Sequence, residues 1–275
     1  MGKLYDELTH IIEYKPDAEV EKQADKWCKT LYKVLDFNNV FPTMMLLFVL
    51  FLYWFGGIKG CVLFVVLITT FVICYKSYNG RKKVWTMKMM NECDFNKILT
   101  VNMTIARNAR RSRDRKNLLP GIGNTLFYLG RFEEAKKVAD LYKKNENNSV
   151  SDWYRVTLCA IIAGYEMDRE TVERCIKELE ELMPQVEKTN KTQEYESIKS
   201  ILPKMDAEEK GDYAKAKELM TLSENATKLD KVRINYGLYK VAKVAGLDDE
   251  ATKHRDFVLE NGGDTFYKRE LESVG

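Results

Sequence analysis

The sequence predicts an all-α protein in three parts: an N-terminal amphipathic helix, a transmembrane helical hairpin and a C-terminal α-solenoid of paired helices. Three observations predict it. Residues 41–55 and 61–75 are almost unbroken apolar runs. Between Asp17 and Phe37, apolar and lysine positions alternate at helical spacing. Past Asn91 the helical period continues, broken by glycine turns and without the two-residue alternation of strands. The boundaries read as 1–39 for the amphipathic segment, 40–76 for the hairpin, 77–116 for a basic linker and 117–275 for the helical domain.

In the first segment, Val20, Ala24, Trp27, Leu31 and Val34 or Leu35 form an apolar stripe. Lys22, Lys26, Lys29 and Lys33 fall on the opposite face. Glu19 and Glu21 favour the positive end of the helix dipole. The stripe suits either a membrane interface or the flank of the large domain; opposed rather than flanking lysines favour the flank.

Each apolar run is about 15 residues, the short end of what crosses a hydrocarbon core of roughly 30 Å. Gly56-Gly57-Ile58-Lys59-Gly60 joins them, too short to cross back and too rich in glycine to continue a helix. Lys76, Arg81, Lys82, Lys83 and Lys88 follow the second run, and Lys26, Lys29 and Lys33 precede the first. That distribution places both termini in the cytoplasm. The composition and the two-crossing anchor resemble those of bacterial plasma-membrane proteins. Lys76, Arg81, Lys82, Lys83, Arg107, Arg110 and Arg111 are expected to meet anionic lipid head groups. Sequons at Asn102, Asn147, Asn190 and Asn225 read as ordinary polar surface in that orientation.

Composition narrows the function classes. Net charge is +3 and no stacking platform accompanies the arginine cluster, so nucleic acid is not an expected partner. Six cysteines lack paired spacing, which fits a reducing compartment. Only His10 and His254 are present, so neither a metal site nor any other cofactor is expected. Phosphate-loop, zinc-protease and nucleophile-elbow motifs are missing, and no catalytic residue is assigned. His254, between Lys253 and Arg255, reads as exposed helix surface.

The helical domain carries an internal pattern. Gly123, Gly130, Phe132 and Ala135 place small and aromatic residues around a helix turn. The pattern returns at Gly211-Asp212-Tyr213-Ala214-Lys215-Ala216 and at Gly246 to Ala251; Gly164 stands one repeat length, about 34 residues, beyond Gly130. An insertion is expected around residues 188–207. Over residues 119–263 the chain resembles the tetratricopeptide-repeat family, with the family's tryptophan only at Trp153 and its closing proline only at Pro184. The resemblance implies a solenoid whose first helices line a concave binding face. Carried over by position, that face holds Asn124, Phe127, Tyr154, Arg233, Tyr236, Lys240 and Lys243. Arg233, Lys240 and Lys243 suit an acidic or carboxylate-bearing peptide. The expectation is a membrane-anchored adaptor without catalysis, able to self-associate. A membrane-shaping hairpin protein and an accessory subunit of a membrane complex are the alternatives.

Overall fold

The computed structural model describes residues 3–30, 69, 87–109, 117–186, 191–224 and 226–274. They are all-α, with no strand among them. The apolar runs 41–55 and 61–75 lie outside the described residues apart from Thr69, and no helix among the described residues is long and apolar enough to cross a membrane.

In chain order the helices are α1 (Lys3–Ile11), α2 (18–30), α3 (87–92), α4 (Phe95–Asn108), α5 (Leu119–Tyr128), α6 (Phe132–Glu146), α7 (Ser149–Tyr165) and α8 (Arg169–Val186). They continue as α9 (Thr192–Lys199), α10 (Ile201–Lys210), α11 (Tyr213–Leu219), α12 (Lys228–Val244), α13 (Asp248–Asn261) and α14 (Phe266–Val274). Short turns join consecutive helices in five pairs, α3/α4, α5/α6, α7/α8, α10/α11 and α12/α13, of which the last four pack antiparallel.

One turn builds all five pairs. Cys93, Gly130, Met167, Gly211 and Gly246 each adopt left-handed backbone, with φ of 55°, 65°, 59°, 62° and 69°. The next N–H turns back to a carbonyl of the preceding helix at 2.9 Å in every case: Asp94 to Met89, Arg131 to Leu126, Asp168 to Ala163, Asp212 to Ala207 and Leu247 to Ala242. These bonds satisfy carbonyls that a helix end would otherwise leave open. The five acceptor residues are all buried, as are Ile98, Ala135, Val172, Ala216 and Ala251 in the first turn of the following helix. Small side chains at most of these positions let the paired helices close on one another.

This register corrects two sequence expectations. The second turn falls at Met167 rather than Gly164, which stays inside α7 with its α-carbon against Ile201 of α10. The helix pairs also begin upstream of residue 117, because α3/α4 already carries the turn at Cys93. Where an insertion was expected, the structure has α9, between Met167 and Gly211; α8 continues through Pro184 to Val186.

The N-terminal helices belong to the same body. Leu4, Leu8, Ile12, Val20 and Cys28 are buried in the main core, Ala24 is fully buried, and Trp27 packs against that core. Each fully buried aliphatic side chain of this size contributes roughly 1.5–3 kcal/mol. The stripe of α2 therefore lies on protein. Arg107 of α4 bonds Glu21 at 2.6 Å, Asn108 bonds Asp25 at 3.0 Å, and Thr100 Oγ1 accepts the Asp17 N–H at 3.2 Å. At the other end, Phe266 of α14 is buried among Phe127, Phe132 and Tyr165, at ring-centroid distances of 5.6, 5.3 and 4.7 Å.

Candidate functional site

The first helices of four successive pairs, α5, α7, α10 and α12, converge on one pocket of about 360 Å³. Phe127, Tyr165 and Tyr236 form an aromatic wall from α5, α7 and α12, and Tyr267 of α14 closes one side. Asn124, Phe127, Arg233, Tyr236 and Lys240, all expected on the concave face, line it.

Charge in the pocket is unbalanced. Lys204, Arg233 and Lys240 line it, and Glu208 is the carboxylate among its lining residues. Lys240 spends its charge on Glu208, at 2.5 Å, and stands over the Tyr165 ring at 5.5 Å. Among the described residues Arg233 forms an ion pair with Asp230 of its own helix, at 3.6 Å, and its side chain remains half exposed. Lys204 donates to the Ser200 hydroxyl at 2.9 Å and makes no ion pair among the described residues. Burial, then the neighbouring Arg233 guanidinium, holds the Lys204 ammonium below the ordinary lysine range. Burial also pushes the phenols of Tyr128 and Tyr267 upward, while Arg233 pulls both down. Arg233 thus faces Lys204 and two enclosed phenols across one hollow.

Such an arrangement favours an anion. Lys204 and Arg233 line the same hollow and repel each other, and a carboxylate or phosphate oxygen arriving there relieves the repulsion. The aromatic wall beside them offers apolar surface to whatever carries the charge.

Two expected residues lie elsewhere. Tyr154 sits behind the pocket, its hydroxyl donating to the Pro120 carbonyl at 3.0 Å with Asn124 Oδ1 at 3.2 Å. A Cβ on Gly123 would stand 2.3 Å from that hydroxyl, so the glycine is what admits Tyr154 between α5 and α7. Lys243 faces the start of α13 instead, 3.7 Å from Asp248, in a separate hollow with Tyr239 and Arg255. An acidic first turn of α13 draws a lysine at the adjoining end of α12.

Among the residues expected at lipid head groups, Arg107 is held by Glu21 and by Asp25 at 3.8 Å, with about a quarter of its side chain exposed. Its charge is committed inside the protein. Lys76, Arg81, Lys82, Lys83, Arg110 and Arg111 lie outside the described residues.

Lys204, Glu208, Tyr165 and Tyr267 were not expected at the site. The first two occupy α10, which follows α9 and carries no glycine-turn pattern before it; Tyr267 lies on α14, past the last recognisable turn. His254 is buried rather than exposed. Its Nδ1 meets Asn235 Oδ1 at 2.7 Å, and its Nε2 meets the Tyr213 hydroxyl at 2.8 Å. No group of three or more potential metal ligands occurs among the described residues.

The chain matches no protein-family model, no curated protein and no solved structure. Its function is therefore argued from the site itself.

Proposed function

We propose that this protein is a membrane-tethered adaptor whose tetratricopeptide-like array binds an acidic peptide segment of a partner protein in the α5/α7/α10/α12 pocket. The observation that carries this reading is that Lys204, Arg233 and Lys240 line one pocket with Glu208 as its carboxylate, beside an aromatic wall. A side-chain carboxylate would take the position between Lys204 and Arg233, and an adjacent apolar residue would lie on Phe127 and Tyr236. The proposal includes no catalytic step.

In the same reading, residues 41–75 tether the array, with both termini on the cytoplasmic side. Tethering raises the local concentration of a weak pocket for partners at the membrane.

The test uses full-length protein in detergent and fluorescent peptides that combine aspartate or glutamate with aromatic residues. Arg233→Glu and Lys204→Glu are each expected to weaken binding about tenfold or more, as is replacing the peptide's acids by their amides. Equal affinity across these pairs would overturn the pocket assignment. Fractionation tests the tether separately: the full chain should stay with membranes through alkaline washing, and its release without detergent would overturn that part alone.

A further inference from the structure

The α7/α8 pair places two cysteines at one height. Cys159 and Cys175 lie equally far before and after Met167, the turn residue between these antiparallel helices. The neighbouring rungs confirm the register. Ala163 and Val172 are both buried next to the turn, and Arg155 and Glu178 form an ion pair at 2.7 Å on the far side. Both cysteines are free thiols, and a side-chain hydrogen bond joins them.

Their surroundings differ in the way a two-cysteine redox centre requires. Cys159 is partly exposed. Cys175 is 3% exposed and packs with Trp153, Val156 and Leu179, out of reach of solvent. Three cations from three helices act on Cys159: Lys136 of α6, which also pairs with Glu133, Arg155 of α7, which pairs with Glu178, and Arg174 of α8. The hydrogen bond from Cys175, then these cations, favours the Cys159 thiolate, whereas Cys175 keeps its proton.

We propose that Cys159 and Cys175 are a reversible dithiol–disulfide pair, oxidised at Cys159 by hydrogen peroxide and closed by Cys175. In the first step the Cys159 thiolate attacks the peroxide oxygen. The O–O bond breaks, hydroxide leaves, and Cys159 becomes a sulfenic acid. In the second, the Cys175 sulfur attacks the Cys159 sulfur. The S–S bond forms, the sulfenic oxygen departs, and the Cys175 proton leaves with it as water. Two electrons pass from the two thiols to the peroxide. A small-molecule thiol restores the pair by exchange, becoming oxidised itself. The closed form ties α7 to α8 within the pair that supplies Tyr165 to the pocket.

The test treats reduced full-length protein in detergent with a small excess of hydrogen peroxide, blocks remaining thiols and digests it with trypsin under non-reducing conditions. The expected product joins residues 156–169 to residues 175–177, lighter by two hydrogens than the sum of the parts and abolished by a thiol reductant. Cys175→Ser is expected to leave Cys159 as a sulfenic acid trapped by dimedone, and Cys159→Ser to leave Cys175 reduced at the same dose. Wild-type Cys159 accumulating as sulfinic acid beside reduced Cys175 would overturn the proposal. So would both thiols surviving intact, or cross-links running to Cys28 or Cys93 instead.

Discussion

The Asp264 carboxylate accepts the backbone N–H of Phe95 at 2.6 Å, and its second oxygen accepts that of Asn96 at 2.7 Å. A residue after the last helix pair thereby caps α4, the second helix of the first pair. Asp264 N–H also donates to the Cys93 carbonyl at 3.0 Å, and Gly263 leaves room for that carbonyl where a Cβ would stand 2.3 Å away. Two ends of the array are joined by one loop. An open solenoid transmits stability only between neighbours; here the first and last pairs share a capping bond.

Asp264→Ala is accordingly expected to destabilise the protein by about 1–2 kcal/mol, the upper range for a lost helix cap. Asp264→Asn keeps one acceptor and should lose less. The urea midpoint of the full chain in detergent measures both, and an unchanged midpoint for Asp264→Ala would refute the capping role.

Two turn glycines separate backbone strain from crowding. Gly246 has φ of 69°, and a Cβ there would meet nothing within 4 Å, so Gly246→Ala should cost about 1–2 kcal/mol from the left-handed backbone alone. Gly211 has φ of 62°, and a Cβ would lie 3.0 Å from the Ala245 nitrogen. Gly211→Ala is therefore expected to be the more damaging of the two. Thermal midpoints in the opposite order would contradict this.

His254 makes stability depend on pH. Asn235 Nδ2 donates to the Lys231 carbonyl at 2.8 Å, which turns its Oδ1 toward His254 Nδ1. Burial holds the folded imidazole below its ordinary value of 6.5; Glu250 opposes this, and Lys253 and Lys217 reinforce it. As pH falls below that value, the unfolded chain binds a proton before the folded one does, so stability declines and then levels once folded His254 has also protonated. Urea midpoints at about pH 7.5 and about pH 5.5 should differ less in His254→Gln than in the parent, since glutamine does not titrate in this window.

Lys204 is expected to be a stability cost retained for binding. Lys204→Met removes a partly buried charge that faces Arg233, so the urea midpoint should hold or rise. Affinity for acidic peptide should fall about tenfold or more. A midpoint that falls together with affinity would make the lysine structural instead.

Much of this was legible in the chain, and the omissions have identifiable causes. Gly130, Gly211 and Gly246 announced their turns because glycine occupies left-handed backbone without a steric penalty. Cys93 and Met167 occupy the same conformation without that signal. Asn124, Phe127, Arg233, Tyr236 and Lys240 reach the pocket from α5 and α12, the helices beside glycine turns. Lys204 and Glu208 were hidden because α9 interrupts the periodicity just before α10. His254 looked exposed between two charged neighbours, but its partners Asn235 and Tyr213 come from other helices that local spacing does not reveal.

Glu21 and Asp25 of α2 hold Arg107 and Asn108 of α4, and residues 87–92 lead into that same helix through the turn at Cys93. In sequence, residues 31–86 thus fall between two segments of one body. A cargo hung by a single strand can swivel; one gripped at both ends of the strand keeps its bearing, so any tether in this stretch would also aim the pocket.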